Sequence, residues 1–140
     1  MKSEVRPLRV YIAGALSSKE KADRNPSQVI VDYLQNLHRM FRVATEVRNL
    51  GHIPYVPGLD FLLGITAGGW DENDYRGMGM GFLEVCDVVL VTSWSWGVDK
   101  EVTRAKELGI PVIDKIDLLP LIEKSLRGKD DGKGNEENLW

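Results

Sequence analysis

Glu101 follows Ser95 by six residues at the exit of the apolar run Val88-Val89-Leu90-Val91. A carboxylate at such a place is a candidate nucleophile or base, and a hydroxyl beside a helix start is a candidate phosphate ligand. The stretch from Cys86 to Glu101 reads as a strand covered on both faces, a short polar turn, and a helix beginning near Gly97. Open α/β sheets bind ligands at the carboxyl ends of their strands, beside helix N-termini.

Each of these residues also has a plainer use. Val98, Val102, Ala105 and Gly109 mark the buried side of the helix, and Glu101 borders that stripe. It is therefore either a partly desolvated reactive carboxylate or a first-turn acid that favours the helix by about 0.3–1 kcal/mol. Ser95 can cap the helix, point at an anion or ribose, or do both. Trp94 and Trp96 flank it as a covered edge, an oligomer contact, or a stacking platform for a base. Tyr11, three residues before Gly14, either packs in a buried strand or orients a carboxylate on the neighbouring strand's exit. Asp71, Glu72 and Asp74 form a solvated loop, from which Asp74 is a candidate general acid if the loop folds over the pocket. His38 and His52 have no partners that would suggest a metal site.

These residues must be positioned by alternating strands and helices. Leu8 to Gly14 reads as a first strand, and Pro26-Ser27 opens a long helix with the stripe Ile30, Leu34, Leu37, Phe41, Ala44 and Val47. A short second strand spans His52 to Val56. The glycine-rich stretch Leu59–Gly81 is the least regular, a partly helical segment over the sheet's carboxyl edge. After the Val98–Leu108 helix come a strand near Val112-Ile113 and a last helix from Asp117 to Leu126. The pattern predicts an α/β fold, a small doubly wound, flavodoxin-like (Rossmann-like) parallel sheet of four to five strands with helices on both faces. One domain over residues 1–127 is expected, with a disordered polar tail over 128–140.

The 140 residues suffice for one buried core, and a net charge of −3 argues against a nucleic-acid polymer as partner. A single cysteine, Cys86, excludes an internal disulfide. With no long apolar run at the N-terminus, the expected setting is cytoplasmic, without membrane association.

The same motifs resemble the nucleoside 2-deoxyribosyltransferase superfamily, which includes nucleotide N-glycosidases and phage-associated members of unknown function. Tyr11-Ile12-Ala13-Gly14 resembles its first strand and Cys86-Asp87-Val88-Val89-Leu90 its central one. Ser95-Trp96-Gly97-Val98-Asp99-Lys100-Glu101 fits the S-x-G-x-x-x-E pattern, followed by Ala105 and Gly109-Ile110-Pro111-Val112. The resemblance spans residues 8–114 and is poor over Leu59–Gly81.

The resemblance implies that Glu101 attacks the anomeric carbon of a (deoxy)ribose, expels the base, and holds the sugar as an ester until another base or water takes it. Tyr11 would orient Glu101, and Ser95 would contact a 5′-phosphate. Gly14, Ser17, Asp87, Ser95 and Gly97, together with Trp94 and Trp96 as the stacking candidates, make up the expected substrate-binding set; no metal or organic cofactor is implied. The partner is then a nucleoside or nucleotide, on a homo-dimer or larger homo-oligomer with Trp94, Trp96 and Met78–Phe82 as candidate contacts. Two departures stand out. The family commonly has an aspartate eight residues before Asp87, which helps protonate the leaving base, and here that position is Gly79. Ala15 and Leu16 stand where phosphate-specific members carry arginine and serine. A non-catalytic nucleotide-binding module on the same fold is the alternative, and a structural assembly protein a weaker third.

Overall fold

The computed structural model describes residues 6–16 and 24–132. Strands β1 (Arg9–Ala13), β2 (Ile53–Tyr55), β3 (Val88–Val91) and β4 (Val112–Ile113) form one parallel sheet in the order β2-β1-β3-β4. This is the flavodoxin-like order, with four strands among the described residues. The helices are α1 (Pro26–Asn49), α2 (Phe61–Ala67), α3 (Glu72–Leu83), α4 (Trp96–Glu107) and α5 (Leu119–Gly132).

β1 and β3 lie at the centre because their residues are apolar on both faces. Val10, Ile12, Val88 and Leu90 point to one side, where they pack with Leu37, Met40 and Val47 of α1 and Leu119 of α5. Tyr11, Ala13, Val89 and Val91 point to the other, against Leu83 of α3 and Val98, Val102 and Ala105 of α4. The period-two alternation of β1 thus assigns Tyr11 to the α3/α4 face. Pro54 is tolerated because β2 is an edge strand, where a missing N–H faces no neighbour.

Three expectations are revised. The apolar stripe of α1 is broader than the sheet beneath it: Leu37, Met40 and Val47 are buried, whereas Ile30 and Leu34 are 60% and 52% exposed. The stretch Leu59–Gly81 is more regular than its glycines suggest. It holds a 3-10 turn (Pro57–Asp60), α2 and α3. Asp71 and Asp74 start α3 through a reciprocal capping box, and ring contacts run from Tyr33 to Phe61, Tyr75 and Trp70. The last helix passes the expected boundary at residue 127 and reaches Gly132, with an i,i+4 ion pair between Glu123 and Arg127 bracing its surface. The rest of the expected tail, residues 133–140, lies outside the described residues.

Among the described residues, no helix is long and apolar enough to cross a membrane.

Candidate functional site

β1 presents Tyr11 to the α3/α4 face, and α4 presents Glu101 back toward it. The Tyr11 hydroxyl donates to Glu101 Oε2 at 2.5 Å, across 90 residues of sequence. That length belongs to a strong charge-assisted bond. Burial pushes the Glu101 carboxyl above its ordinary range, and the Tyr11 hydrogen bond works against that rise by favouring the ionised form. Burial, then the Glu101 charge, drives the Tyr11 hydroxyl far up, so the tyrosine stays protonated and acts as a donor. Among the described residues no hydrogen bond engages Glu101 Oε1. The arrangement is a poorly hydrated carboxyl, steered through one oxygen and open at the other.

A second pair stands beside the first. Tyr55 pairs with Tyr11 in the β1–β2 register, with ring centroids 5.5 Å apart. Its hydroxyl donates to Asp60 Oδ2 at 2.6 Å, and its ring stacks on Phe82 of α3. Burial raises the Asp60 carboxyl above its ordinary range, against the Tyr55 hydrogen bond. Sequence reasoning passed over both Tyr55 and Asp60. The available signal was the position of Asp60 in the turn after β2, at the carboxyl edge where α/β sheets gather functional groups.

Gly79 of α3 completes the wall. It is buried, and a Cβ there would lie 3.2 Å from the Tyr11 hydroxyl. The position that carries an aspartate in the resembled family therefore adjoins the Tyr11–Glu101 pair, and here it presents no side chain.

The other candidates fall into three groups. Gly14 and the Ser95 cap lie at the carboxyl ends of β1 and β3. A Cβ on Gly14 would overlap Thr92 Oγ1, so only glycine fits where the two strand exits close on each other. Ala15 N–H donates to Ser93 Oγ at 2.9 Å and fastens the same exits. Ser95 caps α4, accepting from Val98 N–H at 3.2 Å, and Gly97 sits in the first turn, where a Cβ would lie 3.8 Å from Ser95 Oγ, an ordinary contact. Trp94 and Trp96 are exposed, and Lys100 Nζ stands 3.9 Å from the centroid of the Trp96 ring, an arrangement suited to cation–π attraction.

Two candidates are elsewhere. Asp87 precedes β3 at the amino edge of the sheet, opposite to the site. It accepts from both terminal nitrogens of the Arg6 guanidinium at 2.8 and 2.7 Å and from the Arg9 N–H at 2.7 Å. It is a clamp between the beginnings of β1 and β3, because a largely buried carboxylate needs such partners. Asp74 is exposed and occupied in the α3 capping box, accepting from Asp71 N–H at 2.9 Å. It lies five residues before Gly79, roughly 7 Å along the helix axis, so the general-acid role does not suit it. Ser17 lies outside the described residues. His52 is a buried tie between elements, its Nδ1 accepting from Leu8 N–H at 3.0 Å. Cys86 is buried, and burial pushes its thiol up to about 11, which leaves it unreactive near neutrality.

Comparison of the chain with protein-family models, with curated proteins and with solved structures finds no match.

Proposed function

We propose that the protein cleaves or exchanges the N-glycosidic bond of a nucleoside or nucleoside 5′-monophosphate, with Glu101 as nucleophile. The observation that carries this reading is the 2.5 Å hydrogen bond from the buried Tyr11 hydroxyl to one oxygen of Glu101, with the other oxygen open. In the first step Glu101 forms a bond to C1′ while the C1′–N bond breaks and its electron pair leaves with the base. In the second, water or another base displaces the carboxylate from C1′. Dividing the displacement this way is the logic of retaining glycosidases. Tyr11 holds the carboxylate in position and shares its charge before attack. Ser95 and the first turn of α4 lie where a 5′-phosphate would meet a helix N-terminus. Trp94 and Trp96 suit stacking on a base or a contact between copies in a homo-oligomer.

The test is a panel of nucleosides and monophosphates, with and without an acceptor base, read for free base by chromatography. Wild type is expected to release base from at least one substrate. Glu101→Gln abolishes that release, and the sugar ester on Glu101 is detectable by mass spectrometry after acid quench. Activity retained in Glu101→Gln overturns the reading.

The bare Gly79 wall favours a second reading, a module that binds a nucleotide without cleaving it. Calorimetric binding of a monophosphate with no base released over a long incubation supports that alternative.

A further inference from the structure

Cleavage of an N-glycosidic bond asks for two groups, one to take the sugar and one to give the departing base a proton. Glu101 meets the first need. The wall of α3 next to Tyr11 offers nothing for the second, because it is Gly79 there. Resting on the proposed function, we infer that Asp60 is the second catalytic carboxyl of this site and delivers the proton to the leaving base.

Four observations converge on Asp60. Tyr11 and Tyr55 are register partners on adjacent strands, so their side chains emerge on the same face. Each tyrosine hydroxyl holds one carboxyl through one oxygen, at 2.5 Å for Glu101 and 2.6 Å for Asp60. In each carboxyl the second oxygen has no hydrogen-bond partner among the described residues. Finally, the carboxylates whose charge acts on the Tyr11 hydroxyl are Glu101 and Asp60, and the Glu101 charge acts on Tyr55 in turn. The pairs therefore share one electrostatic environment. A structural carboxylate would be expected to gather several donors or a cation, as Asp87 does, whereas among the described residues Asp60 has a single tyrosine. Burial raises both carboxyls, each against its own tyrosine hydrogen bond, and two such groups on one face are suited to divide the work, one ionised and one protonated.

The steps balance with Asp60 in this role. As the Glu101–C1′ bond forms, the C1′–N electron pair moves onto the base and the Asp60 proton neutralises it. In the second step, the Asp60 carboxylate takes a proton from water or the incoming base, that nucleophile bonds to C1′, and Glu101 leaves with its electron pair. Asp60 ends protonated and Glu101 ionised, as at the start.

The experiment compares 2′-deoxyguanosine and its 5′-monophosphate with their N7-methylated forms, whose base already carries the positive charge and departs without an added proton. Asp60→Asn is expected to lose about 100-fold or more in the single-turnover rate of base release from the unmethylated substrates, and the loss on the methylated ones to be at least about tenfold smaller. Glu101→Gln loses both classes alike. Equal loss of both in Asp60→Asn, or no loss, overturns the role of Asp60 while leaving Glu101 as nucleophile intact. Activity of Glu101→Gln on either class overturns the underlying reading instead. Tyr55→Phe supplies a measurement that does not depend on the folding of Asp60→Asn. Without the Tyr55 hydroxyl the Asp60 proton is held more tightly, so the alkaline limb of the kcat/KM profile moves to higher pH. A limb that stays in place overturns the assignment.

Discussion

Tyr11 and Tyr55 stand opposite each other in the register of β1 and β2, and each hydroxyl holds a carboxyl from a different segment of the chain. Strand pairing thereby sets the spacing of two acidic groups that are 41 residues apart in sequence, Asp60 and Glu101. The two pairs differ in reach. Tyr11 receives its carboxyl from α4, across the sheet face, whereas Tyr55 receives one from the turn that follows its own strand.

Tyr11→Phe keeps the ring and removes the donor. Its effect on stability is modest, of order 1–3 kcal/mol, because one acceptor oxygen loses its partner. Under the proposed function its effect on base release is larger, about 10- to 100-fold in kcat, because the proposed nucleophile is no longer steered. The hydrogen bond favours the ionised carboxyl, so its loss raises the Glu101 pKa further. The proposed nucleophile must be ionised to attack, so the acid limb of the pH–rate profile moves to higher pH. A limb that holds its place while kcat falls would mean that Tyr11 does not act through the carboxyl.

Stability should depend on pH through the same group. Burial raises the folded-state pKa of Glu101, so between its unfolded value and its folded value the native chain binds more protons than the unfolded chain. Stability then falls as pH rises through that window, which opens near pH 4 and extends upward. Glu101→Gln removes the titration. Its Tm relative to wild type should therefore increase from pH 4 toward neutrality and level off above the folded pKa. Thermal melts at successive pH values check this; a flat difference would place the carboxyl in good contact with water.

Gly79→Ala separates folding from function. Alanine in place of a mid-helix glycine favours α3 by about 1 kcal/mol. The new Cβ would lie 3.2 Å from the Tyr11 hydroxyl, which costs part of that gain as the ring gives way by a few tenths of an ångström. The expected variant is as stable as wild type or slightly more so, yet impaired in base release, with the loss in kcat rather than KM. Unchanged kcat would show that the α3 wall does not bear on the Tyr11 hydroxyl.

Gly14→Ala tests the closure of the strand exits. Its Cβ meets Thr92 Oγ1, a side chain rooted in the neighbouring strand exit, so strain of about 1–3 kcal/mol is expected. Thr92→Ala removes the clashing oxygen. In a double-mutant cycle the pair should be less destabilised than the sum of the singles by about 1 kcal/mol or more. Additive effects would assign the cost to the backbone of Gly14.

One half of the proposed site is readable in the sequence and the other half silent, for a physical reason. Tyr11 and Glu101 both lie in patterned segments: period two in β1 fixes the face of Tyr11, and the stripe Val98, Val102, Ala105 fixes that of Glu101. Asp60 lies after Pro57-Gly58-Leu59, in a 3-10 turn with no period from which a direction can be read. The two uses of Asp74 are not separable in sequence, because a carboxylate three residues after Asp71 serves a helix start as readily as a reaction; the capping bonds show the first use. Asp87 was carried along by its place beside a recognisable strand, although it opens that strand rather than closing it. The glycines of α3 argued for irregular chain, but its capping box and the stacking of Phe82 on Tyr55 outweigh their low helix propensity.

Because Tyr55 belongs to a three-residue edge strand, a slip of one residue against β1 would turn its ring to the α1 side and carry its hydroxyl away from Asp60. The proposed arrangement is thus an all-or-none product of correct edge pairing, and any treatment that peels β2 from the sheet should abolish the proposed base release before the centre of the domain melts.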